Sequence, residues 1–215
     1  MHRVAPPWGP LGPRSVLLFL ALGTLAAGCA HVPTYPGEDR WQRNMMFLYG
    51  QRFLQESEDW EPVEDQQAIG VTFDLYDPAA WYLEDRDIGY EIGLQHAWDD
   101  GNVAGVDVEA ETTEIFAGGR LTFHYLKKRL HPYIGTGLTY LRAEADSEST
   151  LPSGFSGSDD DSSFGLYVHG GLYYSLTKAF FVGLDYRWVL FTSVDVGIDT
   201  DVDYQQLGLM IGFGF

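Results

Sequence analysis

A single cysteine in 215 residues excludes an internal disulfide, so cross-linking cannot carry the fold. Basic residues are scarce: 13 Lys and Arg stand against 31 Asp and Glu, a formal charge of -18. Nucleic-acid binding needs clustered Lys and Arg against the phosphates, and this balance excludes it. No apolar run reaches the ~20 residues of a membrane-crossing helix. No segment sustains a 3.6-residue apolar period, which excludes long amphipathic helices. Disorder is excluded too, because 15 % of the chain is aromatic and 45 % hydrophobic.

The amino-terminal stretch reads as a secretion signal. Arg3 and Arg14 precede an apolar run from Val16 to Leu25, and small residues follow. Cys29 sits just after that run, in Leu25-Ala26-Ala27-Gly28-Cys29. This stretch resembles a bacterial lipobox, which implies lipidation of Cys29 and cleavage before it. Ala26 departs from the Leu usual three residues before the Cys, and Gly28-Cys29-Ala30 also suits ordinary cleavage after Ala30. Cleavage before Cys29 removes two Arg and no acid, leaving 11 basic residues against 31 acidic ones, or -20. The organisation expected is a signal peptide over 1–28, a periplasmic linker over 29–43 and a folded domain over 44–215.

Within that domain, apolar and polar residues alternate with period two. Strands are expected at 44–55, 67–77, 87–98, 112–126, 132–145, 163–176, 179–193 and 203–215. Ile69, Val71, Phe73 and Leu75 share one face, with Gly70, Thr72, Asp74 and Tyr76 on the other. Ile88, Tyr90, Ile92 and Leu94 oppose Gly89, Glu91, Gly93 and Gln95. Phe164, Leu166 and Val168 oppose Gly165, Tyr167 and His169, and Leu184, Tyr186 and Trp188 oppose Gly183, Asp185 and Arg187.

A soluble barrel turns such an apolar face inward, whereas a membrane barrel turns it to lipid. Four features favour lipid. Tight breaks at 127–131 and 177–178 alternate with longer connections at 56–66, 99–111, 146–162 and 194–202, as in transmembrane barrels. The longer connections carry 20 acids and no Lys or Arg over 56–65, 99–111, 146–161 and 195–203, while Lys127, Lys128, Arg129 and Lys178 sit in the tight breaks. The polar face holds Arg52, Arg120 and Arg187 beside Asp74, Glu91, Glu114 and Asp185, the near-balance needed by a lumen in which each ion requires a partner. Aromatics such as Trp98, Tyr125, Tyr140, Phe164, Tyr174, Phe180, Trp188 and Phe215 fall near strand ends, where interfacial girdles form.

The last residues repeat the alternation: Leu207, Leu209, Ile211, Phe213 and Phe215 against Gln206, Gly208, Met210, Gly212 and Gly214. In lipid every backbone group must be paired, so this strand is expected to close against the first. Gln206, Gly208, Ile211, Phe213 and Phe215 resemble the signal read by the bacterial barrel-assembly machinery. The chain as a whole resembles the small outer-membrane barrels, the OmpA-type transmembrane domain and OmpW-like proteins, above all in His131–Leu138 and Gly183–Trp188. The resemblance implies an all-β, eight-stranded, antiparallel up-and-down barrel in the outer membrane of a Gram-negative cell envelope, with both termini periplasmic. It also implies partners in outer-membrane lipid and lipopolysaccharide. The peptidoglycan-binding domain of full OmpA proteins is expected to be absent.

Small barrels of this group include enzymes. Lipid A deacylases use a His and a Ser two residues apart, but His96, His124, His131 and His169 are followed at that spacing by Trp98, Leu126, Tyr133 and Gly171. Lipid A palmitoyltransferases need a His near the outer rim, and the four acidic stretches contain none. An aspartyl-type outer-membrane protease needs a larger barrel. His124 and His169 are expected in the lumen, as hydrogen-bonded groups or a pH-sensitive gate. Asp159-Asp160-Asp161 and Asp199, Asp201 and Asp203 offer oxygen ligands but lack the Gly and distal Glu of a calcium loop. No cofactor or metal site is therefore assigned, although loose divalent bridging to lipopolysaccharide is allowed. Eight strands enclose room only for side chains or one small ligand. The expectation is a plugged, non-catalytic barrel with a structural or surface-interaction role. A narrow channel or carrier and a lipid-modifying enzyme stand as alternatives.

Overall fold

The computed structural model describes residues 43–55, 63, 65–76, 86–103, 106–126, 129–147, 157–195 and 199–215. The expected signal peptide, Cys29 and all of the linker but Arg43 lie outside the described residues. So do Lys127 and Lys128. The strands are β1 (Arg43–Leu54), β2 (Asp65–Tyr76), β3 (Arg86–Val103), β4 (Val106–Phe123), β5 (Leu130–Ser147), β6 (Gly157–Ser175), β7 (Phe180–Leu190), β8 (Ser193–Asp195), β9 (Asp199–Asp201) and β10 (Tyr204–Gly214). Eight of them, all but β8 and β9, form a closed barrel in the order β1-β10-β7-β6-β5-β4-β3-β2. Every neighbouring pair is antiparallel, and β10 seals the ring against β1 from Asn44↔Gly214 to Leu54↔Tyr204. Closure removes the free edges that an open sheet would present to lipid.

The apolar face points outward. Tyr90 is 67 % exposed, Leu138 64 %, Phe164 74 % and Leu209 63 %, while Arg52, Asp74, Glu114 and Gln206 on the opposite face are wholly buried. This is the inverse of a soluble barrel and the arrangement of one whose solvent is lipid.

Of the expected long connections, 99–111 is largely strand and 146–162 is strand at both of its ends. β3 and β4 stay paired as far as Val103↔Val106, and β5 and β6 as far as Ser147↔Gly157. Asp159, Asp160 and Asp161 therefore belong to β6 rather than to a loop. The physical reason is an inversion of the two faces. Asp107, Glu109 and Glu111 point out, while Val108 and Ala110 between them are buried. The same holds in β5, where Arg142 is exposed and Leu141 and Ala143 are buried. A transmembrane strand needs only ~9–11 residues, whereas β3 to β6 run to 18 or 19. Above the lipid the outer face meets water and turns acidic. The alternation persists, so the acids are strand residues despite their density.

The expected connection at 194–202 also contains structure. β8 and β9 form a separate two-stranded sheet. Asp203 Oδ1 accepts from the Thr192 amide at 2.8 Å and the Thr192 hydroxyl at 2.9 Å, which ties down its base. This delivers Val194 and Val202, together with Val63 from the β1–β2 connection, into a buried cluster with Leu54, Leu141 and Val189. An apolar plug thus sits inside the barrel at its acidic end. The opposite, turn end carries the tight connections β4–β5 and β6–β7 and the outer ends of β1 and β10.

Candidate functional site: a layered polar lumen

Below the plug the lumen is polar, and period-two alternation puts one side chain into it from every second residue. The first layer centres on Glu114 of β4. Its carboxylate lies 2.6 Å from Arg187 Nη2 and 3.3 Å from Arg52 Nη2, and accepts from Thr139 Oγ1 at 2.8 Å and from the Tyr204 hydroxyl. Arg52 also donates to Thr112 Oγ1 at 2.6 Å and Gln206 Oε1 at 3.2 Å. Both guanidinium groups stack on rings: Arg52 over Tyr204 at 3.8 Å, and Arg187 over Phe116 at 3.9 Å and Tyr167 at 4.1 Å.

The second layer joins Arg120 to Asp74 at 2.7 Å and to Glu91 at 3.9 Å, with the Arg120 guanidinium 3.6 Å above the Tyr133 ring. His169 bridges two carboxylates, with Nε2 2.9 Å from Glu91 and Nδ1 2.9 Å from Asp185. Tyr133 donates to Asp185 at 2.5 Å and Tyr167 to Glu91 at 2.7 Å. Both nitrogens of His169 face acceptors, and an imidazole donates from both only as imidazolium. In that form four cations meet four carboxylates. Tyr167 links the layers, touching Arg187 with its ring and Glu91 with its hydroxyl.

All seven residues expected to form ion pairs (Arg52, Asp74, Glu91, Glu114, Arg120, Asp185 and Arg187) are buried inside the barrel. They make two clusters rather than one. Tyr167 falls on the expected inward face, but its ring and hydroxyl contacts, and the part played by Tyr133 and Tyr204, escaped the sequence reading, because alternation assigns a side and not a height. A cavity of about 20 Å³ lies among Arg120, Tyr133, His169, Asp185 and Arg187, room for one water.

The third layer, at the turn end, contains His124, expected in the lumen, together with Asp87, His131 and Ser175, whose contact with it was not anticipated. His124 Nε2 is 2.7 Å from Asp87 Oδ2, His124 Nδ1 is 2.8 Å from His131 Nδ1, and His131 Nε2 is 2.9 Å from Ser175 Oγ. A search for Ser two residues after His on one strand misses this pair, which forms across strands. His131 pairs with Tyr173 of β6, and Ser175 is the diagonal neighbour on the same face. His96 lies apart from the lumen, with Nδ1 3.1 Å from Thr113 Oγ1 and its ring stacked on Trp98 at 5.6 Å.

Of the residues matching an assembly signal, Gln206 is buried and donates to Gln95 Oε1 at 2.8 Å. Gly208 faces Gly50 in the closing seam. Ile211, Phe213 and Phe215 are exposed on the apolar side. Among the described residues, no group of three or more His, Cys, Asp or Glu is arranged to hold a metal ion.

The fold has solved counterparts. Neisserial surface protein A aligns with a TM-score of 0.57 at 15 % identity, over 80 % of this chain and 96 % of that one. Ail, the attachment invasion locus protein of Yersinia pestis, aligns at 0.51 and 12 %, with the same coverage. The amino-terminal β-barrel domain of Pseudomonas aeruginosa OprF aligns at 0.45 and 14 %, over 82 % of this chain and 100 % of that one. At these identities the likeness is one of fold alone. No curated protein matches the chain in sequence. The family model of the outer membrane protein beta-barrel domain matches residues 22–215, nearly the whole chain, and with the closed ring, the outward apolar face and the polar lumen it establishes that this protein belongs to that family of bacterial outer-membrane barrels.

Proposed function

We propose that the protein is a sealed barrel with a structural or surface-interaction role, acting through its acidic end. The observation that supports this reading is the filled lumen. The apolar plug of Val63, Val194 and Val202 lies above the two ion-paired layers, and among the described residues a cavity of about 20 Å³ lies between the layers. The ion pairs act in this reading as struts that tie the walls together. The acidic end faces the medium, and the turn end, with both ends of the barrel chain, faces the periplasm. The outer acids meet lipopolysaccharide through divalent cations, and Cys29 carries lipid on the periplasmic side. The Gln206, Gly208, Ile211, Phe213 and Phe215 pattern is read by the assembly machinery. Neisserial surface protein A and Ail are named for the cell surface and for attachment and invasion, and a role at the surface is in keeping with an exposed acidic rim.

Planar-bilayer recording on the purified barrel tests the sealed state. No stepwise current is expected, and regular current steps would instead establish a narrow channel. Orientation is tested by Asn102→Cys, an exposed site on the β3–β4 hairpin, against the unsubstituted protein. A membrane-impermeant maleimide applied to intact cells should label only the variant. Labelling confined to lysed cells would reverse the orientation.

A further inference from the structure

We propose that Ser175 is an activated nucleophile, driven by a Ser175–His131–His124–Asp87 relay, which opens acyl esters at the turn-end mouth of the barrel. The relay lies outside the ion-paired layers, and the inference is independent of whether the lumen is sealed. Its direction is the one in which the final imidazole nitrogen can accept a proton. A carboxylate at Asp87 only accepts, so the facing His124 Nε2, 2.7 Å away, must carry a proton. In the proposed relay His124 is neutral with no proton on Nδ1, and His131 Nδ1, 2.8 Å from it, is the donor of that contact. This leaves His131 Nε2 bare and facing Ser175 Oγ at 2.9 Å. The hydroxyl proton of Ser175 is thus aimed at a base, and that base is oriented by a second imidazole and a carboxylate. A nucleophile, a base and an orienting group in hydrogen-bond contact are the components of covalent acyl transfer.

The fold holds the parts in place. Tyr173 stacks on His131 with centroids 4.6 Å apart and planes at 15°, which supports the orientation of the ring towards Ser175. The β4–β5 turn closes through the Tyr125 amide to the Leu130 carbonyl at 2.8 Å, with Leu126 in the left-handed region at φ 48°. That turn brings His124 back over His131. Ser175 ends β6 and is 9 % exposed, unlike the fully buried Glu114 or Arg52. Apolar side chains surround the relay and suit an apolar acyl chain: Tyr173 and Phe181 are buried against each other with centroids 4.6 Å apart, and Tyr125, Leu126 and Leu176 are exposed in and beside the two tight connections of this end.

In the first step Ser175 Oγ bonds to the ester carbonyl carbon and its proton passes to His131 Nε2. The bond to the alcohol oxygen then breaks, and the alcohol leaves with that proton. Water attacks the acyl-serine, one of its protons returns through His131 Nε2 to Ser175 Oγ, and the carboxylic acid departs. The sum is ester plus water to acid plus alcohol.

The test is labelling of the folded barrel in detergent by an alkyl fluorophosphonate, in which Ser175 Oγ would bond phosphorus and displace fluoride. Intact mass and peptide mapping should find one adduct, on Ser175. It should vanish in Ser175→Ala and form about 100-fold more slowly in His131→Gln, the loss expected when a general base is removed. Asp87→Asn should slow it less, through the orientation of His124. Hydrolysis of a p-nitrophenyl acyl ester should follow the same order. Faster migration of unboiled samples on SDS gels shows which variants have folded, and the unsubstituted protein decides the matter even if a variant has not. No adduct, an adduct on another residue, or equal rates with and without His131 would overturn the proposal.

Discussion

Arg187 Nη2 lies 2.6 Å from Glu114 Oε1 inside the barrel, although 73 residues separate them in the chain. The same carboxylate serves Arg52 of β1. Removing one member of a buried ion group leaves an uncompensated charge and costs about 3–5 kcal/mol. Glu114→Ala is expected to lose about that much, read as a lower urea midpoint of the folded, fast-migrating gel band. Replacing Arg52, Glu114 and Arg187 together by Met, Leu and Met should lose far less. Equal losses would mean that the three side chains matter by volume and not by charge.

Leu138 sits mid-strand in β5 with its side chain 64 % exposed. An Arg on the lipid face at the bilayer midplane costs about 2–4 kcal/mol. Leu138→Arg should show that loss for folding into lipid vesicles. A neutral result would mean that this face meets water.

Gly135 and Gly119 form a matched pair. A Cβ on Gly135 would come within 2.3 Å of His169 Nε2 and 2.8 Å of Glu91 Oε1, whereas one on Gly119 would meet nothing closer than 3.9 Å. Gly135→Ala should therefore break the His169–Glu91 contact and cost about 1–3 kcal/mol, as overpacking does. Gly119→Ala should be close to neutral. Chemical denaturation of the two variants side by side checks the difference, and equal costs would place His169 elsewhere.

Phe213 touches Phe180 with centroids 5.3 Å apart, while Phe215, beyond the end of β10, is exposed. If the terminal pattern is read by the assembly machinery, Phe215→Ala should lower the amount of folded barrel in the outer membrane of cells. Refolding of the purified variant into detergent should be unchanged. A defect in both would assign Phe215 a role in stability instead.

Strand identity and the choice of face were legible in the sequence, because alternation with period two is local and each residue carries its own side with it. Phe164, Leu166 and Val168 could be told from Gly165, Tyr167 and His169 without any partner in view. Strand ends were less legible. Asp107, Glu109 and Glu111 look like loop residues by charge, and only their pairing with β3 shows a strand whose outer face has left the lipid. The β8–β9 sheet was hidden for a related reason: three-residue strands are too short to show a period.

The sequence by itself determined that this chain is a β-barrel with a lipid-facing surface and a charged lumen, since composition and alternation are properties of single residues. Which charges meet was decided by the tertiary structure. Glu114 reaches both Arg52 and Arg187, and His131 reaches Ser175, only because the closed ring sets the stagger of eight strands. A slip of two residues in one pairing would keep every side chain on its own face and exchange its partners.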